Sequence, residues 1–306
     1  MDGSSPVIDA HVHAGRYGDH FPRAFAEQMM GKTDTPAPEA IDQPIDRLLA
    51  EMDAAGVQHA VLLAFDAHRT SGARVPNELV GGIVAEHPDR FTGFASVDPL
   101  DPGGLAAFQR AVDEYGLRGL KLAPSYLGIA PDDPAIDPLY ALAAERGLPV
   151  LAHVGYTPSQ SADPRHFAPH PMAAVAERFP EGRFVMAHLG APWTAHSIAL
   201  MAQHPNLWAD LSIFSWYQPP AIVADALRLA KARGVLPRVM WGSDAPFGPM
   251  GASLQRLRDV VAAGMGGEDS LLDTEELASL EGGAAHRLLD LGAARVSGGR
   301  DARSDL

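Results

Sequence analysis

Two histidines separated by a single residue lie in an apolar segment near the amino terminus. His11 and His13 belong to the run VIDAHVH, whose composition is typical of a β-strand. Because side chains alternate between the two faces of a strand, both imidazoles must point the same way. That spacing suits two ligands of one metal ion, although roughly half of one such pair is expected by chance in a chain this rich in histidine. The position of the pair in the fold therefore matters more than its existence.

Three further polar side chains end apolar segments later in the chain. His153 and His188 occur in LAHVG and MAHLG, each two residues before a glycine, and Asp244 occurs in WGSDAP. A single buried histidine is more often structural than a ligand. Three segments with the same arrangement instead favour a metal-binding or catalytic cluster, provided that the fold brings the segments together.

Eight short apolar segments can supply the strands that position these side chains. They begin at Val7, His59, Phe91, Leu117, Pro149, Arg183, Leu207 and Arg238. Segments with helical spacing of apolar residues alternate with them. After a first interval of 52 residues, the strand starts follow one another at 24 to 34 residues, about the length of one strand–helix unit. The sequence therefore predicts an α/β fold, a (β/α)8 TIM barrel, in which the carboxyl ends of the strands bring the five polar side chains to one mouth.

An open doubly wound sheet is the alternative fold. It would be large for this length, and no GxGxxG motif follows the first strand. No linker divides the chain, which predicts a single domain over residues 1–306 with a core from about 7 to 291. The long first interval predicts an insertion at about 16–43 over the mouth, either a lid or a decoration. The polar segment at about 296–306 is predicted to be a mobile tail.

Charge and composition exclude several classes of partner. The net charge of −14 and the absence of a basic run disfavour nucleic acid. No apolar run approaches the roughly 18 to 20 residues of a membrane helix, and the start MDGSSP lacks the features of a signal peptide, so we expect a cytoplasmic protein. Without cysteine, disulfides and thiolate-bound metals are excluded. Any metal must be held by His, Asp, Glu or a modified Lys.

The chain resembles the amidohydrolase superfamily, specifically the amidohydrolase-2 branch. That branch includes aminocarboxymuconate semialdehyde decarboxylase and predicted metal-dependent TIM-barrel hydrolases. The resemblance lies in IDAHVH, LLAEMDAAGV, RGLKLAP, GLPVLAHVG, RFVMAHLGAPW, HPNLWADLS and WGSDAPFG, and it extends from about residue 7 to 291. Near the carboxyl terminus GGAAHRLLDL departs from the family pattern, and we interpret His286 there as a packing residue.

The resemblance implies a role for each of the five polar side chains. The implied metal ligands are His11, His13, His153 and Asp244, and the implied catalytic residues are His188 and Asp244. In this branch the site typically holds one ion, and His188 serves as an acid, a base or a polarising group. Three imidazoles and one carboxylate favour zinc, with manganese as the alternative divalent ion.

Other residues near the predicted strand ends have open roles. Lys121 is either a carbamylated bridge between two metals, as in other branches, or the partner of a substrate anion or a carboxylate. Asp98 and Asp210 are interpreted as structural caps or as carboxylates that orient a ligand, with a catalytic role as the alternative. A possible aromatic wall comprises Tyr126, Tyr156, Trp193, Phe214, Trp216, Tyr217 and Phe247, and the candidates to clamp a carboxylate are Arg16, Arg23, Arg69, Arg74 and Arg165.

Two reactions are compatible with such a site. In hydrolysis, metal-activated water attacks a small amide, ester or lactone, and Asp244 carries the proton to the leaving group. In nonoxidative decarboxylation of an aromatic or muconate-like acid, His188 or Asp244 protonates the adjacent carbon. We expect hydrolysis, with decarboxylation as the alternative. A barrel that binds a small molecule without turnover is disfavoured, because binding alone does not require this residue set. A homodimer is possible, because dimers are common in the family.

Overall fold

Ten β-strands are present in the residues that the computed structural model describes, which are 6–31, 37–264 and 270–291. They are β1 (Ile8–His13), β2 (His59–Leu63), β3 (Phe65–Ala67), β4 (Ala73–Val75), β5 (Phe91–Ser96), β6 (Leu120–Leu122), β7 (Pro149–Ala152), β8 (Arg183–Met186), β9 (Leu207–Asp210) and β10 (Val239–Met240). Eight strands pair in the order β1-β2-β5-β6-β7-β8-β9-β10, and β3 and β4 form a separate antiparallel pair. Hydrogen bonds from Ala10 N–H to the Trp241 carbonyl and from His13 N–H to the Ala245 carbonyl join the last strand to the first. The parallel sheet is thereby closed into a barrel.

Helices follow the barrel strands in the described part of the chain. They are α1 (Arg23–Met30), α2 (Ile45–Ala55), α3 (His68–Ser71), α4 (Asn77–Glu86), α5 (Gly104–Asp113), α6 (Pro124–Leu127), α7 (Asp137–Glu145), α8 (Pro171–Arg178), α9 (Thr194–Gln203), α10 (Phe214–Tyr217), α11 (Pro220–Ala232), α12 (Met250–Ala263), α13 (Thr274–Ala278) and α14 (Ala284–Leu288). Among the described residues, no helix combines the length and apolar character that crossing a bilayer requires.

The predicted TIM barrel is confirmed, and its strands begin close to the predicted positions. Seven predicted starts lie within one residue of the observed ones, and the fourth barrel strand begins at Leu120 rather than Leu117. The antiparallel pair β3–β4 was not predicted, because its two strands have only three residues each and carry the polar Asp66 and Arg74 at their centres. So short a pair gives no periodicity that a sequence can reveal.

The strands of the barrel place their apolar side chains in two cores. On β6, Leu120 and Leu122 belong to the outer core between barrel and helices. The inner core consists of Ile8, Ala10, Val61, Leu63, Phe94, Leu151, Val185, Ala187 and Met240 of the barrel, with Ala284, Ala285 and Leu288 of α14. Arg183, the first residue of β8, donates a hydrogen bond to the Leu288 carbonyl at 2.7 Å, so α14 covers the amino-terminal ends of the strands. The lower half of the barrel is therefore filled, and only its carboxyl-terminal half can hold a site.

One extra residue in β1 forms a β-bulge at the base of the site. Asp9 pairs with Ala60 and Val12 with Leu62, so three steps along β1 match two along β2. Such a bulge re-aims the side chains that follow it. Beyond it, His11 and His13 both face the cavity while Val12 packs in the outer core, which confirms the predicted common orientation of the two imidazoles.

The predicted insertion after β1 lies over the mouth of the barrel. Its described part contains α1 and a 3-10 turn at Pro38–Ile41, and residues 32–36 lie outside the described part of the chain. Phe21, Phe25 and Met29 point from it into the cavity. The insertion therefore contributes to the wall of the site and is not a decoration. The fold is a single domain, whereas the predicted tail at 296–306 lies outside the described residues and the exact domain limits stay a prediction.

We expect Phe94→Ala to lower the free energy of unfolding by about 3–5 kcal/mol, because it empties space in the inner core. Phe94 is fully buried, and a Cβ placed on Gly119 would lie only 2.5 Å from its ring, which shows how closely this region is packed. Urea unfolding measures the change. Leu100→Ala is the control, because Leu100 is 44% exposed and its truncation should cost less than about 0.5 kcal/mol. Equal losses in both variants would contradict this account of the inner core.

Candidate active site

A cavity of about 530 Å³ opens at the carboxyl-terminal ends of the barrel strands. All five polar residues predicted from the sequence line it, namely His11, His13, His153, His188 and Asp244. Four of them are supplied by β1 and by the segments directly after β7 and β8, and Asp244 follows β10. The structure thus brings the predicted residues into one cavity.

His11, His13 and Asp244 form a compact cluster at the bottom of the cavity. Asp244 Oδ1 lies 3.3 Å from Nε2 of His11 and 3.3 Å from Nε2 of His13. One potential ligand atom from each of the three residues lies within 4.8 Å of the others, and all three side chains are buried. This spacing is compatible with coordination of a single ion.

Asp210 orients the ring of His11. Its Oδ2 atom lies 3.0 Å from Nδ1 of His11, while its Oδ1 atom accepts hydrogen bonds from the hydroxyl and the N–H of Ser212. Because a carboxylate only accepts, Nδ1 of His11 carries the proton and Nε2 presents a lone pair toward Asp244. In metal sites, the ring nitrogen of a histidine ligand that does not bind the metal commonly donates a hydrogen bond to a carboxylate. The interpretation of Asp210 as an orienting carboxylate therefore agrees with its position.

His188 and His153 are joined in a chain of hydrogen bonds that fixes their tautomers. Nδ1 of His188 lies 3.0 Å from the carbonyl oxygen of Ser212, so this nitrogen must donate. Nε2 of His188 is then the acceptor for Nδ1 of His153, at 3.1 Å. Nε2 of His153 is buried and has no hydrogen-bond partner among the residues that the structure describes. In neutral rings this atom is a free lone pair in the cavity wall, as a metal ligand requires.

A second group of possible ligands, His11, His188 and Asp210, is better described as the support of the first. One potential ligand atom from each of these three residues also lies within 4.8 Å of the others. They are already bonded, however, directly or through the Ser212 hydroxyl, which lies 3.0 Å from Nδ1 of His11 and 2.9 Å from Nδ1 of His188. This network leaves the Nε2 atoms of the two rings directed into the cavity.

Unusual backbone conformations present two of these side chains. His188 and Asp244 have φ angles of 57° and 60°, in the left-handed region that residues other than glycine rarely adopt. Each is held there by a hydrogen bond from its N–H, to Asp210 Oδ1 for His188 and to the His11 carbonyl for Asp244. Strained residues of this kind cluster at functional sites.

The glycine after His153 allows two loops of the site to meet. Gly155 has a φ of 96°, and a Cβ at this position would lie 2.6 Å from the carbonyl oxygen of Ala191. That same carbonyl accepts a hydrogen bond from Tyr156 N–H at 2.8 Å. Glycine is therefore required where the loop after β7 crosses the loop after β8.

Burial controls the protonation of the cavity. It lowers the pKa of His11 to about 4, and it lowers the pKa of His13 and, still further, that of His153. Burial acts to raise the pKa of Asp244, but the neighbouring His11 and the hydrogen bond with His13 outweigh it and leave this pKa below its ordinary value. The cluster thus offers neutral imidazoles and an ionised carboxylate, which are the forms that bind metals.

Lys121 shares the bottom of the cavity with the cluster. Its Nζ atom lies 3.2 Å from Nε2 of His11, and burial lowers the pKa of its ammonium group to about 8. The two acceptor atoms His11 Nε2 and Asp244 Oδ1 face one another at 3.3 Å, an arrangement that a nearby cation stabilises. Together with the unpartnered Nε2 of His153, these contacts fit a divalent metal ion. Lys121 remains a candidate for either of its predicted roles.

We expect Asp210→Asn to weaken metal binding by about 10- to 100-fold without abolishing it. The variant replaces the charged carboxylate that accepts the hydrogen bond from Nδ1 of His11 with a neutral amide. The proton is then held less firmly on Nδ1, and the lone pair on Nε2 is less well oriented. Competition with a metal-binding dye measures the affinity. Asp98→Asn is the matched control, because Asp98 accepts hydrogen bonds from Arg69 and from Leu100 N–H outside the cavity. Unchanged affinity in Asp210→Asn would remove Asp210 from the metal site.

Aromatic and apolar side chains form most of the remaining wall. Of the seven predicted aromatic residues, those that line the cavity are Tyr126, Tyr156, Phe214, Tyr217 and Phe247. Trp193 is not among the lining residues, and Trp216 lies instead against Arg256. Phe21, Phe25, Met29 and Phe65 also line the cavity, and the sequence analysis did not single them out.

None of the predicted arginine clamps lines this cavity. Arg16, Arg23, Arg69, Arg74 and Arg165 form ion pairs with Asp42, Glu27, Asp98, Asp66 and Asp163, respectively. His286 lies on α14, on the side of the barrel opposite the cavity, as a packing residue would. Ser212 and Thr157 were missed because single hydroxyl residues in loops carry no sequence signal.

The barrel, together with a histidine and aspartate cluster at the carboxyl ends of its strands, defines a TIM-barrel enzyme. The family model described as amidohydrolase matches residues 8–291, so the chain belongs to the amidohydrolase family. The predicted resemblance to this family is thereby confirmed. No curated protein matches the chain significantly.

Solved structures of similar fold include proteins of different reactions. An uncharacterised TIM-barrel protein from Bordetella bronchiseptica has a TM-score of 0.75 and 21% identity, covering 93% of this chain and 98% of its own. A dihydroxybenzoic acid decarboxylase from Polaromonas, with bound manganese and an inhibitor, has a TM-score of 0.67 and 16% identity, and the match covers 96% of this chain and 99% of its own. A probable 2-pyrone-4,6-dicarboxylic acid hydrolase from Acinetobacter baumannii has a TM-score of 0.64 and 17% identity, and the match covers 93% of this chain and 99% of its own. These similarities establish the fold.

Proposed function

We propose that the chain is a metal-dependent hydrolase of a small amide, ester or lactone. The observation that carries the proposal is the position of Asp244. Its carboxylate lies at the bottom of the cavity, 3.3 Å from the Nε2 atoms of His11 and His13, where it can accept a proton from an attacking water. Hydrolysis starts from the ionised form of this carboxylate, which its lowered pKa favours, whereas decarboxylation would need its protonated form or another donor.

The proposed ligands are His11, His13, His153 and Asp244. A divalent ion bound there supplies Lewis acidity, which polarises a substrate carbonyl and makes water more acidic. Asp244 takes the proton of the attacking water on its carboxylate and delivers it to the leaving nitrogen or oxygen. His188 lines the cavity and holds His153 through its Nε2 atom, and in this proposal it exchanges a proton with the substrate when that hydrogen bond opens. The aromatic wall excludes bulk water from the reacting groups.

Decarboxylation of an aromatic or muconate-like acid is the second candidate. The aromatic lining suits a flat ring, and one of the proteins of similar fold is a dihydroxybenzoic acid decarboxylase. Muconate-like dicarboxylates are less well matched, because the described lining residues include no arginine for a second carboxylate.

A panel of aryl esters, lactones and amides, with a parallel panel of hydroxybenzoic acids, tests the function. Each reaction is followed for both acid release and carbon dioxide release. We expect one equivalent of acid from each bond cleaved and no carbon dioxide from the second panel. Carbon dioxide release without hydrolysis would overturn the proposal in favour of the lyase.

We expect His188→Asn to retain most of the metal while turnover falls by about 10²- to 10⁴-fold, because the variant loses an imidazole that can exchange a proton. Elemental analysis and initial rates measure the two effects on the same preparation. His286→Asn is the control, because it removes an imidazole on α14, remote from the cavity. Loss of metal in His188→Asn would instead make His188 part of the metal-binding set.

Zinc is the proposed ion, because imidazole and carboxylate ligands without sulfur suit it, and manganese is the alternative. The proposed partner is a small-molecule substrate. The cytoplasmic location and the homodimer stay predictions of the sequence.

A further inference from the structure

We propose that Tyr126 and Thr157 form a hydrogen-bond donor pair that binds a neutral oxygen substituent of the substrate, a hydroxyl, ether or carbonyl oxygen. The rest of the substrate would be apolar and of the size of a ring, and it would carry no carboxylate at this wall. The inference rests on the proposed function in one respect, namely that the cavity is the substrate site.

The two hydroxyl groups face each other in the cavity wall. Tyr126 lies on α6 and Thr157 in the loop after β7, and both side chains are buried and line the cavity. A short hydrogen bond joins Tyr126 Oη to Thr157 Oγ1. Thr157 Oγ1 also accepts a hydrogen bond from Ser159 N–H at 3.3 Å. The pair is therefore held in place by the backbone of its own loop.

A count of protons shows that one donor is left over. The two hydroxyls carry two protons, and the bond between them uses only one. Among the described residues, the remaining proton has one further neighbour, Met29 Sδ, which lies 3.9 Å from Tyr126 Oη and 3.9 Å from Thr157 Oγ1. A thioether is a weak acceptor, so a strong donor remains almost unused in an apolar wall. An oxygen atom of a bound ligand would satisfy it and repay the cost of its burial.

The position of the pair relates it to the reacting groups. The Tyr126 ring packs edge-to-face on His153, with ring centroids 5.1 Å apart, and similarly on Phe65 at 5.5 Å. The pair thus lies on the wall beside a proposed metal ligand, and in the proposal it holds a part of the substrate other than the reacting carbonyl. A substrate bound by both contacts would have a fixed orientation.

The charges of the cavity favour a neutral oxygen over a carboxylate at this wall. Lys121 is the one lysine or arginine among the described lining residues, and it lies beside His11 at the bottom of the cavity. Phe25 and Phe65 pack against the Tyr126 ring, and Met29 Sδ lies against the two hydroxyls. A carboxylate placed there would be desolvated without a counter-charge, which is costly, whereas a neutral oxygen needs only the donor that is present.

Binding of ketones, which the proposed enzyme cannot hydrolyse, tests the inference. Acetophenone, its 3-hydroxy and 4-hydroxy derivatives, and 3-acetylbenzoate and 4-acetylbenzoate are titrated calorimetrically into the zinc-loaded full-length protein. We expect one hydroxy derivative to bind about tenfold more tightly than acetophenone, the effect of one well-placed hydrogen bond, and both acetylbenzoates to bind more weakly than acetophenone.

Variants assign the preference to the pair. The double variant Tyr126→Phe/Thr157→Val removes both hydroxyl protons, and it should reduce the tenfold preference to less than about twofold while leaving the affinity for acetophenone nearly unchanged. Either single variant leaves one hydroxyl proton free to donate, so each should keep part of the preference. Tyr140→Phe is the matched control, because the Tyr140 hydroxyl is buried against the Pro131 carbonyl away from the cavity. The preference should survive in this control.

Two results would overturn the inference: no preference for either hydroxy derivative, or a preference that persists undiminished in the double variant Tyr126→Phe/Thr157→Val. Tighter binding of an acetylbenzoate than of acetophenone would overturn the exclusion of a second carboxylate. Because these readouts are binding constants, absence of hydrolysis would refute the proposed function and leave this inference standing.

Discussion

Asp244→Asn is expected to lower kcat by about 10²- to 10⁴-fold, even in preparations that retain metal. The amide preserves the shape of the side chain and one oxygen near His11 and His13, but it cannot accept the proton of the attacking water. Initial rates at matched metal content measure the loss. Elemental analysis of the same samples separates a defect in proton transfer from a defect in metal binding.

The matched control for this variant is Asp66→Asn. Asp66 is a carboxylate of the β3–β4 pair that lies 3.6 Å from Arg74 and does not line the cavity. Its amide variant should keep nearly full activity. If metal-loaded Asp244→Asn were as active as the unmodified protein, Asp244 would have no role in proton transfer and the proposed hydrolytic mechanism would be wrong.

His11→Ala and His13→Ala should each reduce bound metal from one equivalent to less than about one tenth, because each removes one of a few ligands to the ion. Activity should fall with the metal. Elemental analysis after dialysis against a metal-buffered solution measures occupancy, and circular dichroism checks that both variants are folded. His59→Ala is a suitable control, because His59, at the start of β2, bonds to Thr92 and not to the cluster. Full occupancy in both ligand variants would remove them from the metal site.

The sequence predicted the barrel and the approach of the five polar residues because both follow from short-range rules. Alternation of faces along a strand placed His11 and His13 together, and the parallel arrangement of strands brought His153, His188 and Asp244 to the same end. These inferences need only the direction of each strand and its last residue. They remain valid if the start of a strand is misjudged by three residues, as it was for β6.

The contacts between distant residues could not be predicted in the same way. Asp210 meets His11 across 199 positions of sequence, and Tyr126 meets Thr157 across 31. Such pairings depend on side-chain rotamers and loop paths, which hydrophobic periodicity does not encode. The arginines illustrate the converse error. They follow barrel strands in the sequence, but each forms an ion pair with a carboxylate that does not line the cavity.

The filled amino-terminal half of the barrel determines how molecules travel to and from the reacting groups. Since α14 and the inner core close that end, substrate and product must both pass the carboxyl-terminal end of the barrel. A compound bound at this end of the barrel would block product exit as effectively as substrate entry, without contacting the proposed metal ligands.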